Sequence, residues 1–265
     1  MTTTKSPNET TVSVGGTQVQ MFSGGSGPPL LFLHGGEGLA GFEPYSGPLA
    51  QRHTVYAPSH PGFNGTPRPD WVSTITDVAH FTLELVQELG LQQYVLMGHS
   101  VGGWIAAEMA AMSHENLKGL VLIDPAGIKP ERGEIAEIFM VSRDTRLSRA
   151  FYDPSQVANY EWYSRELTPE EANQAHSNME MLSRLCWKPY MNNPSLPFYL
   201  GKVSTPALIV WGHQDAVVPL ECGELYRNAL PNATLKVIDK CGHRPQIEKP
   251  QEFQSVVGEF LAGLK

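Results

Sequence analysis

Tyr94-Val-Leu-Met-Gly-His-Ser-Val-Gly-Gly-Trp-Ile-Ala-Ala-Glu-Met-Ala-Ala-Met112 is the stretch on which the fold turns. Its first four residues are an apolar run of strand length, and the alanine-rich half from Val101 to Met112 reads as a helix. Between them stands Gly98-His99-Ser100-Val101-Gly102, a G-x-S-x-G pattern in the strand–turn–helix setting that gives it meaning. A chain that passes from strand to helix within two residues forces the middle residue into a strained backbone, so the Ser100 hydroxyl projects out of the fold. Small residues at 98 and 102 keep neighbouring Cβ atoms from colliding. The helix start beside Ser100 supplies partial positive charge where an oxyanion would develop. Ser100 is therefore a candidate nucleophile, and the Val101 backbone N–H a candidate oxyanion donor.

Working outward, strands and helices alternate. Thr11–Val14 and Thr17–Met21 flank Gly15-Gly16 as a two-residue hairpin. Leu30–Leu33 and Thr54–Ala57 read as short strands. Val72 to Leu89 reads as a helix capped by Ser73 and closed by Gly90. Further strands are expected at Leu120–Ile123, Ala207–Trp211 and Thr234–Ile238, the last two followed by helical stretches at 219–229 and 250–263. Short apolar strands joined by crossovers of this length predict an α/β fold, a mostly parallel sheet with helices on both faces. Residues 128–202 break the rhythm with helical stretches at Glu131–Ser148 and Thr168–Leu185. They read as a helical cap inserted into a core formed by 1–127 and 203–265. Phe139, Met140, Trp162 and Trp187 in this insertion are candidates for lining an apolar substrate pocket.

A serine hydroxyl is inert near neutral pH unless a base takes its proton and a third group orients that base. For this type of turn the chain order is serine, acid, histidine. The last of nine histidines is His243, in a loop after the strand at 234–238, where Gly242 permits a sharp bend. Asp215 follows the strand at 207–211 and falls on the same sheet edge as Ser100, because parallel strands present their carboxyl ends together. Asp124 and Asp239 are competing acids at that edge. His34-Gly35-Gly36 follows the strand at 30–33, and the Gly36 N–H is the second candidate oxyanion donor. His34 reads as a structural residue of that loop, and His99 as facing the sheet or lying beneath the cap.

Charge narrows the function. Among 265 residues, 19 Lys and Arg stand against 27 Asp and Glu, a net charge of −8. With no basic run, nucleic acid and anionic membranes are unsuitable partners. Cys186, Cys222 and Cys241 form no C-x-x-C pair and read as buried free thiols. There is no apolar leader and no run of about 18 apolar residues, so a cytoplasmic protein is expected.

Taken together, His34-Gly35-Gly36, Gly98-His99-Ser100-Val101-Gly102, Trp211-Gly212-His213-Gln214-Asp215 and Gly242-His243-Arg244-Pro245 with Glu248-Lys249-Pro250 resemble the α/β-hydrolase superfamily, in its serine branch with a helical cap. The resemblance covers residues 10–265 apart from the insertion. It implies an eight-stranded sheet and a Ser100–His243–Asp215 triad. Dehalogenases and epoxide hydrolases of this superfamily carry Asp at the turn, and Ser100 sets the chain apart from them. Proline iminopeptidases typically carry Trp where Val101 stands. The chain is similar to carboxylesterases and also to meta-cleavage-product C–C hydrolases. The latter usually extend the first loop as Gly-Gly-Gly-Pro and place Trp after the histidine, where Glu37 and Arg244 stand. The expected activity is hydrolysis of small-molecule carboxylic esters through an acyl-enzyme, with no metal or cofactor, by a monomer or homodimer. C–C hydrolysis of dienone acids is the alternative, and a non-catalytic ligand receptor a third reading.

Overall fold

The computed structural model describes residues 8–39 and 46–264. Residues 1–7, part of the stretch read as lacking an apolar leader, lie outside the described residues. The elements in chain order are β1 (Asn8–Val14), β2 (Thr17–Gly25), β3 (Pro29–Leu33), α1 (Ser46–Ala50), β4 (Thr54–Pro58), α2 (Ile75–Glu88), β5 (Tyr94–His99), α3 (Val101–Met112) and β6 (Leu117–Ile123). There follow α4 (Arg143–Ala150), α5 (Tyr160–Ser164), α6 (Pro169–Cys186), α7 (Leu196–Leu200), β7 (Ala207–Gly212), α8 (Leu220–Ala229), β8 (Ala233–Ile238), α9 (Pro245–Glu248) and α10 (Pro250–Gly263).

The eight strands form one sheet in the order β1-β2-β4-β3-β5-β6-β7-β8. β1 and β2 pair antiparallel around Gly15 and Gly16, both at positive φ as a tight hairpin turn requires. β2 also runs antiparallel to β4, and every pairing from β4 to β8 is parallel. Every residue of β5 and β7 is buried, which accounts for their unbroken apolar runs. Alternation along the strands divides the core into two layers. Leu31, Leu33, Leu96, Leu122 and Ile209 pack towards α2, α3 and α8. Phe32, Met97, Val121, Ile123 and Val210 pack towards α1 and α10. The sheet is thus covered on both faces, and the carboxyl ends of β3, β5, β6, β7 and β8 share one rim.

Two sequence expectations are corrected. The cap of α2 is Thr74, not Ser73. Thr74 Oγ1 accepts from Asp77 N–H (3.1 Å) and Asp77 Oδ2 accepts in return from Thr74 N–H (2.9 Å). The helix expected over Glu131–Ser148 begins only at Arg143, capped by Ser142. Upstream, carboxylates take the backbone donors that a helix would use internally. Glu221 accepts from the N–H groups of Glu131, Arg132 and Gly133, and Glu137 from those of Phe139 and Met140. Residues 124–206 add no strand to the sheet, and α4 to α7 lie within them. The three cysteines are free and buried.

Candidate active site

The turn from β5 into α3 places Ser100 at φ 55° and ψ −121°, a region that costs a non-glycine residue energy and is held here by the surrounding backbone. A Cβ at Gly98 would overlap the Gly102 carbonyl, and one at Gly102 would overlap the carbonyls of Leu33 and His34. Glycine at both positions lets β3, β5 and α3 meet closely enough to form the turn.

The β7 loop places the carboxylate. The indole of Trp211, fully buried, donates to Val218 O (3.3 Å) beneath the loop. Asp215 Oδ1 accepts from the N–H groups of Val217 and Val218 at 2.7 and 3.0 Å, so the side chain is fixed by its own turn. After β8, residues 239–244 fold back over the rim. Gln214 Oε1 accepts from Cys241 N–H (3.0 Å), Glu248 Oε2 from Gly242 N–H (2.7 Å), and His99 Nε2–H donates to His243 O (2.8 Å). The three side chains are brought together as one chain of contacts. His243 Nε2 lies 2.9 Å from Ser100 Oγ, and His243 Nδ1 lies 2.7 Å from Asp215 Oδ2. A hydroxyl, an imidazole and a carboxylate in this series can transfer a proton and return it.

The other candidates are placed differently. Asp239 is exposed and pairs with His213 (3.0 Å), whose hydrogen bond holds its carboxyl down at about 2. Asp124 is buried at the end of β6 and accepts from Gly212 N–H (2.9 Å). His34 and His60 tie the first loop down. His34 Nε2 accepts from His60 N–H and His60 Nε2 contacts His34 O, both at 3.0 Å. Burial lowers His34 well below its ordinary value, His60 to about 4 and His99 to about 3. These neighbours are therefore neutral near pH 7, and no fixed imidazolium opposes a proton arriving on His243. One oxygen or nitrogen each from Asp124, Asp215 and His243 lie within 4.8 Å of one another. Asp215 is occupied by two backbone N–H groups and by His243, and the His243 ring by Asp215 and Ser100.

The N–H of Val101 opens α3 and has no carbonyl of its own helix to meet. Gly36 lies in the loop facing it, where a Cβ would overlap Leu182 of α6. Both residues, with Ser100 and His243, line a chamber of about 90 Å³. Its apolar walls include Ile138, Ala150, Met179, Leu182, Val217 and Ile247. It shares Arg146, Met179, Arg244 and Ile247 with an adjoining cavity of about 400 Å³. The pocket residues expected from sequence are not in the inner chamber. Trp162 lines the adjoining cavity, while Phe139, Met140 and Trp187 line an outer groove that shares Arg143, Arg146, Leu167, Ala175 and Met179 with that cavity. The missing helix over 131–142 explains the difference at Phe139, whose ring packs on Trp187 and Tyr190, both at 5.7 Å.

Three further groups belong to the site without having been assigned a place in it from sequence. Arg146 reaches the inner chamber while its guanidinium donates to the carbonyls of Val141 (2.8 Å) and Ile138 (3.4 Å). Arg244 is buried, lies over the Phe151 ring (5.4 Å) and forms an ion pair with Glu37. Burial lowers its guanidinium to about 10, still charged at neutral pH. The two departures from the C–C hydrolase pattern are thus one feature, joining the Gly36 loop to the His243 loop. Glu248 is the third. Glu37 and Arg244 stood out in the sequence as the two odd residues of their motifs, and Arg146 only as one of five arginines in the insertion, with Arg143, Arg149, Arg165 and Arg184, that could hold a substrate carboxylate.

The family model described as the alpha/beta hydrolase fold matches residues 28–250. This chain belongs to the α/β-hydrolase family. The hydrolase is 27% identical over 261 residues to a 2-hydroxymuconate semialdehyde hydrolase of a Pseudomonas sp., covering 93% of this chain and 91% of that one. It is 24% identical over 260 residues to an uncharacterised protein of Mycobacterium tuberculosis, covering 89% and 76%. Among solved structures, a membrane phospholipase A described as a bacterial virulence factor superposes with TM-score 0.84 at 26% identity, covering 97% of the hydrolase and 86% of that chain. A 2-hydroxy-6-oxo-6-phenylhexa-2,4-dienoate hydrolase of a Rhodococcus sp. shares the fold with TM-score 0.78 at 22% identity, covering 97% and 99%. Among the described residues, no helix of the hydrolase is long and apolar enough to cross a membrane.

Proposed function

We propose that this hydrolase cleaves carboxylic esters of small to medium acyl or aryl groups through an acyl-enzyme. The observation that carries the reading is the unbroken series Ser100 Oγ–His243 Nε2–Asp215. Ser100 attacks the ester carbonyl as His243 takes its proton, and the N–H groups of Gly36 and Val101 receive the oxyanion. His243 then gives the proton to the leaving alcohol. Water, deprotonated by the same imidazole, attacks the acyl-enzyme and frees the acid and Ser100. Asp215 holds the imidazole in the tautomer with its hydrogen on Nδ1. Residues 128–202 act as the cap, with Met179 and Leu182 excluding water above the serine. The small inner chamber suits the reacting carbonyl and a short flank, and the adjoining cavity the larger part of the substrate.

One observation favours C–C hydrolysis of a dienone acid as a second reading: Arg146, an arginine of the insertion, lines the chamber with Ser100. The two readings separate in one experiment. p-Nitrophenyl esters of increasing acyl length are assayed beside a 2-hydroxy-6-oxo dienoate, with wild type and Arg146→Gln. Ester hydrolysis is expected to dominate, with kcat/KM highest for short acyl groups. A dienoate cleaved faster than every ester replaces the first reading with the second. In that case Arg146→Gln lowers dienoate turnover preferentially, by about 10–100-fold for a lost charge-assisted hydrogen bond.

A further inference from the structure

The site contains a buried carboxyl group that the ester cycle leaves idle. Asp124 directly follows β6, is fully buried, and has a backbone φ of 41°, in the left-handed region. Such a strained position at a functional rim points to a side chain that must be aimed. One oxygen, Oδ1, accepts from Gly212 N–H (2.9 Å), while Oδ2 is buried without a donor. Asp215 contrasts with it, because its two oxygens meet Val217 N–H, Val218 N–H and His243. An oxygen of Asp124, an oxygen of Asp215 and a ring nitrogen of His243 all lie within 4.8 Å of one another.

The groups around Asp124 offer it no lasting counter-charge. They are Asp215 from the β7 loop, Glu248 from α9, and His243 and the Cys241 thiol from the β8 loop, with His99 beyond His243 and Lys249 beyond Cys241. Glu248 is spent on three backbone N–H groups and His99 on the His243 carbonyl. Burial, then the Asp215 charge, raises Asp124 well above the carboxylate range. Two carboxyl groups packed in a dry site hold a proton between them, and it rests on the one with fewer donors.

We propose that Asp124 is a positioning residue and reserve acid: its carboxylic O–H donates to Asp215 and steadies it against His243, and if Asp215 is lost the ionised Asp124 orients His243 instead. The inference rests on the triad reading above. No bond to substrate is involved, and the only group transferred is the carboxyl proton, which goes to solvent when Asp124 ionises.

The test compares Asp124→Asn, Asp215→Ala and the double variant with p-nitrophenyl acetate across pH, together with infrared difference spectra of wild type and Asp124→Asn. Asp215→Ala is expected to lose about 10²-fold, against the ~10⁴-fold expected of a triad left with no acid, which the double variant should show. The ratio of Asp215→Ala activity to that of the double variant should rise with pH as Asp124 ionises. Wild type should show the C=O stretch of a neutral carboxylic acid, and Asp124→Asn should lack it. Equal residual rates for Asp215→Ala and the double variant at every pH overturn the reserve role. A neutral-acid band unchanged in Asp124→Asn overturns the shared proton. The infrared result needs no substrate, so a wild type that turns over no ester defeats the proposed function while the band still decides the acid pair.

Discussion

Ser100→Ala is expected to lower p-nitrophenyl acetate turnover by about 10⁴–10⁶-fold, and His243→Ala by a similar factor. The two effects should not add, because an imidazole without a hydroxyl to deprotonate does no work, nor does a hydroxyl without its base. The double variant should therefore match either single one. A fluorophosphonate probe should label wild type at Ser100 and leave Ser100→Ala unlabelled. Ser100→Ala retaining more than a few per cent of the wild-type rate would remove Ser100 from the reaction. Backbone geometry supplies a companion result. Because Ser100 occupies φ 55°, Ser100→Gly should raise stability by about 1 kcal/mol while losing activity as fully as Ser100→Ala. A melting curve set beside the rate would show the two changes moving in opposite directions, as expected when strain at the turn serves function rather than folding.

The convergence of Ser100, Asp215 and His243 was legible in the sequence for a simple reason. Each follows a short apolar run, and in a parallel sheet the carboxyl ends of such runs share a rim. That rule places Asp124, Asp215 and Asp239 on the rim alike; Asp215 was preferred because Asp124 precedes Pro125 at the entry to the insertion, and the structure gives each a different surrounding: buried near Asp215, bonded to His243, and exposed beside His213. The inserted segment was less legible because its backbone is organised by distant side chains. Glu221, on α8, receives the N–H groups of residues 131–133, and no helical period in 131–148 reveals that. The walls of the inner chamber were hard to read for a related reason, although Trp162 does line the adjoining cavity. Which face of α4 or α6 meets Ser100 depends on how those helices are rotated over the rim, and composition favours the large aromatic residues over the Ile138, Met179 and Leu182 that are there. Glu37 and Arg244 were visible as odd residues, but their pairing across the chamber required the fold.

Glu248→Ala is expected to reduce stability by about 3 kcal/mol and to slow catalysis at a position that touches no substrate. Glu248 is buried at the end of α9, and its two oxygens accept from Gly242 N–H (2.7 Å), Asp153 N–H (2.7 Å) and Tyr152 N–H (3.2 Å). One carboxylate thus fastens the His243 loop to the segment entering 154–164. Its removal leaves the Gly242 donor buried and unpaired, while the two on the inserted segment are partly open to water and cost less. For a chain of this size the loss corresponds to a melting point lower by about 6–12 °C. Glu248→Gln keeps one acceptor oxygen but turns an amide NH₂ towards a backbone donor, so it should fall between wild type and Glu248→Ala. The kinetic effect should appear in kcat more than in KM, because the substrate chamber keeps its walls while the imidazole loses its fixed distance to Ser100. Thermal melting by circular dichroism, with rates measured well below the transition, separates the two effects. A Glu248→Ala protein that melts within about 2 °C of wild type would mean that Gln214, His99 and the Glu37–Arg244 pair hold the loop without it.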